Sequence, residues 1–204
     1  AFCDRLTFEG RSGPPGNIIG VNTSLTNLAL RRATGIDFDL GYKAPLWNGT
    51  ASANLLGTYT INRVQTDGSG TFNFANIVAG GYVRSSDFST PRWLMYGTLN
   101  YSTDAWGLTL NSNFVSKSRT DPVASTTGGT GNRVNVDFFD ARVYFNLSGR
   151  VKVDPGFEFF GGIENLTNQN PPSALSIGLI GQGNTAAYYD TIGRRFFAGA
   201  RVQF

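Results

Sequence analysis

The 204-residue chain has no histidine at all and a single cysteine. Without histidine there is no Ser-His-Asp triad, no His-ligated zinc and no imidazole acid/base chemistry. Cys3 has no second cysteine in the sequence to pair with. An odd cysteine in an exported protein points to a free thiol or to a partner outside the stretch. Charge is scarce as well: 15% of residues are charged, against roughly 25% in an average soluble domain. The 17 basic and 14 acidic residues are scattered, apart from Arg31-Arg32 and Arg194-Arg195, so no basic stripe supports nucleic-acid binding. No run approaches the roughly 18 consecutive apolar residues of a spanning helix. No basic-then-apolar leader opens the sequence either, so the stretch reads as a mature form or as part of a longer protein.

What the chain does have is glycine, 26 residues, and aromatics, 13%. A hydrophobic content of 40% goes with a mean hydropathy of only -0.16. Such a mixture suits strands of which every second residue meets lipid and the others a polar interior. Alternation therefore has to decide the class.

The alternation is clearest at the end. Phe196, Ala198, Ala200, Val202 and Phe204 share one parity, and Phe197, Gly199, Arg201 and Gln203 the other, the period of a strand. Earlier, Leu28, Leu30, Ile36, Phe38, Leu40 and Tyr42 oppose Asn27, Arg31, Asp37, Asp39 and Lys43. This predicts one strand of nearly twenty residues, long enough to project beyond an apolar band about 25 Å tall. After the turn APLWNG, Ala53, Leu55, Gly57, Tyr59 and Ile61 form the apolar side of a second strand. Residues 64–92 read as a long loop with a short extended piece near Phe72 to Phe74. Trp93, Met95, Leu99 and Tyr101, a tight STDA turn, and Trp106, Leu108, Leu110 and Phe114 make a hairpin. A polar loop over 118–133 precedes Phe139, Ala141, Val143, Phe145 and Leu147, which oppose Asp140, Arg142, Tyr144 and Asn146. A turn near Val153 to Gly156 leads into Phe157, Phe159, Gly161 and Ile163, and a loop over 168–191 leads to the closing strand.

Connection lengths alternate too, long then short throughout. Short turns at one end and long loops at the other are the asymmetry of outer-membrane barrels, whose short turns are periplasmic. Tyr42, Trp93, Tyr101 and Trp106, near strand ends, fit interfacial aromatic girdles. The expected fold is all-β: an antiparallel transmembrane β-barrel segment of about seven strands (six to eight), with residues 1–24 an extracellular loop and 25–204 the strands.

Chemistry-bearing candidates are few. Asp37 and Asp39 point to one side of a strand and can bind a cation, although a solvated interior face is the favoured reading. Arg142 and Arg201 share inward parity, where they can meet an anionic ligand or, as we favour, hydrogen-bond within the interior. No catalytic residue, metal ligand or cofactor motif emerges, so the chain is not read as an enzyme. Two other readings fit the pattern: a soluble extracellular β-sandwich that binds carbohydrate, and a small self-contained outer-membrane barrel acting as adhesin or porin.

Specific wording adds to this. The tail YD followed by IGRRFFAG and a terminal Phe (189–204), FCDR at 2–5, VNT at 21–23, TGIDFDLGY at 34–42, TPRWLMYGTLNY at 90–101 and GGIENLTNQNPP at 161–172 resemble the C-terminal barrel region of TonB-dependent receptors. The resemblance implies a part of a twenty-two-stranded outer-membrane transporter, without its plug domain and TonB box, serving energised uptake of a scarce nutrient such as a siderophore, cobalamin or a glycan. It also implies outer-membrane lipid as surroundings and coupling to the TonB system through the plug. The strand Phe196, Ala198, Ala200, Val202 and Phe204 would be the signal read by the barrel-assembly machinery. Cys3 would form an outer-loop disulfide with a cysteine upstream.

Overall fold

A computed structural model describes residues 6–8, 17–21, 30–67, 70–79, 90–120, 138–172 and 188–203. Two short strands come first: β1 (Leu6–Phe8) pairs antiparallel with β2 (Ile18–Val21). Residues 1–24, which lack a sustained period, are therefore not loop throughout. The four residues Ile18–Val21 (IIGV) do not alternate and are too few to stand out by periodicity.

The chain then builds β3 (Leu30–Leu46), β4 (Gly49–Asp67), β5 (Gly70–Asn73) and β6 (Ile77–Ala79). Next come β7 (Trp93–Ser102), β8 (Trp106–Val115), β9 (Ser118–Thr120) and β10 (Phe138–Phe139). The last three are β11 (Arg142–Asp154), β12 (Phe157–Glu164) and β13 (Arg195–Val202). Seven of these form one antiparallel sheet in the order β3-β4-β7-β8-β11-β12-β13, so that order along the chain is order in space. The sheet is open, with β3 and β13 at its edges. These are the seven strands that alternation predicts.

Short turns close one end. They are Trp47-Asn48, Thr103 to Ala105, and Pro155-Gly156. Trp47 takes a positive φ of 50°, the left-handed conformation a two-residue hairpin turn demands. In the STDA turn, the Thr103 hydroxyl accepts from the Trp106 amide at 3.0 Å, which fixes the chain reversal. The other connections, 68–92, 116–141 and 165–194, leave and re-enter the sheet at the opposite end.

Period two does the rest. One rung crosses all seven strands as Tyr42, Ala53, Leu99, Leu110, Leu147, Ile163 and Phe196, apolar throughout. The next rung runs Gly41, Asn54, Thr98, Asn111 and Asn146. One face is thus apolar and the other polar, because a one-residue step reverses every side chain.

The structure corrects three boundaries. The reach of β4 extends to Asp67, because β5 folds back to pair with its far end. Ile61 does not continue the apolar parity: Thr34 pairs with Asn62 and Gly35 with Thr60, leaving Ile61 as a β-bulge. Phe139 and Ala141 do not belong to the apolar face of β11, which starts at Arg142. Phe139 lies in β10, paired with Ser118, and is buried against Val115, Tyr144 and Tyr189. This small core, at the long-connection end, is the main cluster of buried apolar side chains among the described residues.

Candidate functional site: a two-faced strand wall

The apolar face carries its large side chains exposed. Tyr42 is 72% exposed, Leu99 56%, Phe159 51% and Phe196 71%. A contiguous apolar face of this extent marks an interaction surface, since soluble monomers rarely expose one. Its ends are aromatic. At the short-turn end Tyr101 packs on Trp47 and Trp106, with ring centroids 6.4 and 5.2 Å apart. Towards the other end Trp93 packs on Tyr59 at 4.5 Å and on Phe38 at 6.5 Å. Trp93 and Tyr101 bracket β7, and at about 3.3 Å per residue they stand roughly 26 Å apart along the strand. Tilted by about 40°, that length covers roughly 20 Å of an apolar band about 25 Å tall, which puts the aromatic rings near its two margins. Both β7 and β8 have 10 residues, the length of a tilted transmembrane strand.

The polar face is tied by side-chain pairs across the strands. Asp39 accepts from Asn54 at 2.8 Å and Asp37 from Thr58 at 2.7 Å. Thr98 donates to Asn111 at 3.0 Å, and Asn100 to Thr109 at 2.7 Å. Each aspartate thus has its own neutral donor on the neighbouring strand. Glu158 is shared by Arg150 at 3.1 Å and Arg201 at 3.2 Å. Arg142 donates to the backbone carbonyls of Asn170 at 3.0 Å and Ala141 at 3.1 Å. No cluster of metal-ligating residues occurs among the described residues.

At the long-connection end one segment escapes sequence reasoning. Asn165, 1% exposed and with φ of 51°, accepts from the Gln169 amide and donates to the Gln169 carbonyl and to Asp190 at 2.9 Å. Its own amide donates to Asn146 of β11 at 2.8 Å. Asp190 accepts in turn from the amides of Ile192 and Gly193 and from Arg195, which also pairs with Glu164 at 2.7 Å. Burial alone would raise the Asp190 pKa, but hydrogen bonds from Ile192, Asn165 and Gly193 and the Arg195 charge hold it below the ordinary carboxylate value. Beside it, burial pushes the Tyr189 phenol up to about 12, with Tyr144 adding to the shift. This node pins the connection 165–194 to the wall. The sequence signal was available in the Asn, Gln and Asp residues at its two ends, but only tertiary pairing shows that they meet.

The sequence-derived candidates fall as follows. Phe196, Ala198, Ala200 and Val202 share the apolar face of β13, paired with Ile163, Gly161, Phe159 and Phe157. Phe204 and Cys3 lie outside the described residues. Asp37, Asp39, Arg142 and Arg201 lie on the polar parity of the sheet, with the partners given above.

No protein-family profile and no curated protein matches the chain. Among solved structures, two variants of the ferric enterobactin receptor PfeA of Pseudomonas aeruginosa, a TonB-dependent receptor, are similar in fold. A double-substitution variant has a TM-score of 0.51 at 19% identity, and a single-substitution variant 0.49 at 20%. Both alignments cover 84% of this chain and 22% of the receptor. The chain thus spans about a fifth of that receptor's length, and its fold is that of a stretch of β-barrel wall.

Proposed function

We propose that this chain is the C-terminal barrel portion of a TonB-dependent receptor, residues 25–204 supplying wall strands and residues 1–24 an outer loop. The carrying observation is the register: seven strands in sequence order keep one face apolar, between aromatic ends one tilted transmembrane strand length apart. A carbohydrate-binding sandwich would bury that face against a second sheet. A small self-contained barrel would have no use for the open edges β3 and β13, which upstream strands of a larger barrel would cover.

In this reading the apolar face meets outer-membrane lipid, and the polar face lines an interior that houses a plug supplied by another part of the protein. The whole protein would take up a scarce nutrient, such as a siderophore, cobalamin or a glycan, with energy delivered through TonB. The chain's own part is mechanical and not catalytic. The closing strand, with Phe196, Ala198, Ala200, Val202 and Phe204, would be presented to the barrel-assembly machinery, and Cys3 would pair with an upstream cysteine in an outer-loop disulfide.

The test is assembly of the complete protein in a Gram-negative host. The intact protein should fractionate with the outer membrane as a heat-modifiable band, and deletion of Phe204 should lower that band while leaving synthesis unchanged. A soluble intact protein, or a deletion with normal outer-membrane levels and heat modifiability, would contradict the reading.

A further inference from the structure

The two faces treat their arginines differently. On the polar face Arg31 donates to Gln65, Arg142 to backbone carbonyls, Arg150 and Arg201 to Glu158, and Arg195 to Glu164 and Asp190. On the apolar parity of the seven strands the one basic residue is Arg32, which is exposed and pairs its backbone with Val64, beyond the bulge. No acid bonds to it among the described residues. A second arginine joins it from the strand start. Arg92 lies over the apolar-face ring of Tyr59, 5.8 Å from its centroid, and its Nη1 is held by the carbonyls of Thr60 at 3.2 Å and Ile61 at 3.0 Å. Those carbonyls lie at the bulge and carry no net charge, and no acid bonds to Arg92 among the described residues.

Position gives these charges a partner. Arg92 directly precedes Trp93 of the aromatic end, and the Thr60 amide donates to its carbonyl, level with Gly35. Arg32 stands three residues further along β3, about 10 Å beyond that level. Both arginines therefore sit just past the apolar band, at headgroup depth, and at the end that carries the long connections. Apart from Asp154 at the short-turn end, no acidic residue shares the apolar parity of the main sheet.

We propose that Arg32 and Arg92 form a lipid-facing contact site for phosphate groups of phosphorylated glycolipid headgroups in the leaflet at the long-connection end. With two strand spacings across and three residues along, their Cα atoms are roughly 14 Å apart. That separation suits a headgroup with more than one phosphate better than a single ion. The bulge at Ile61 serves this site by supplying the carbonyls that aim Arg92. The inference rests on the outer-membrane reading above.

The test uses the complete protein purified in detergent, with lipid A as probe, in diphosphorylated and dephosphorylated forms, and bound lipid counted by native mass spectrometry. Because Arg32 is exposed and has no bonded partner among the described residues, Arg32→Ala should fold normally and lose about fivefold in affinity for the diphosphorylated form, and adding Arg92→Gln should lose about as much again. The dephosphorylated form should bind all variants alike. Equal affinity of the intact protein and Arg32→Ala for diphosphorylated lipid A, or an intact protein indifferent to the phosphates, would overturn the site. A heat-modifiable band is the control. If it is present without phosphate preference, the contact site alone fails; if it is absent, the barrel reading fails.

Discussion

At the scale of the residue, cost depends on face and depth. Leu147 lies midway along β11, between Leu110 and Ile163 on the apolar face. Leu147→Arg should destabilise by about 2 to 4 kcal/mol, whereas Val143→Arg, near the strand's rim end, should cost only about 0 to 1 kcal/mol. Arg142→Ala, one residue away on the polar face, removes hydrogen bonds to carbonyls at about 1 kcal/mol. Unfolding in denaturant measures all three, and a Val143→Arg variant as damaged as Leu147→Arg would argue for protein packing on that face. Asn165 tests a different term. Its replacement by Ala keeps a left-handed φ on a residue ill suited to it and orphans Gln169 and Asp190, so about 3 kcal/mol should be lost. Asn165→Gly removes the backbone strain and should recover about 1 kcal/mol of that. Identical losses for Ala and Gly would show that backbone strain at Asn165 contributes nothing.

At the scale of the element, the strands were legible in the sequence because each turns one parity to an apolar face and the other to a polar one. Leu40, Leu99 and Leu147 cannot trade places with Asp39, Thr98 and Asn146 without reversing a face. The boundaries were less legible. Ile61 continues the alternation in sequence, yet it bulges, because the register is set by β3 across from it. Phe139 keeps the parity of Val143, yet it is drawn into the core with Tyr189, a contact between residues fifty apart that no local period records. The Asn165–Asp190 node was hidden for the same reason. That node also makes the last long connection acid-sensitive. With the Asp190 pKa depressed in the folded state, its contribution is fully present above the ordinary carboxylate pKa of about 3.9 and is lost as pH falls through the lower folded value. Protection of the Ile192 and Gly193 amides from hydrogen exchange, relative to an Asp190→Asn variant, should be constant from neutral pH down to about 5 and decline below about 4. A decline that starts near neutrality would mean that another group controls the connection.

At the scale of the whole molecule, the sheet is a wall whose small core sits at one end. Among the described residues no second layer covers its apolar face, and its edges β3 and β13 are unpaired. In the proposed function lipid covers the exposed apolar area and further strands cover the open edges. The aromatic ends, the missing acids in the apolar band and the alternating connections agree on the same orientation. The most direct measurement is a scan of single cysteines along Leu94 to Tyr101 of β7, in the complete protein with Cys3 replaced, reconstituted in bilayers and spin-labelled. Met95, Gly97, Leu99 and Tyr101 should be accessible to oxygen dissolved in the lipid. Leu94, Tyr96, Thr98 and Asn100 should not be, which gives a period of two along the strand. Lipid accessibility on neither parity, or on both alike, would contradict the account.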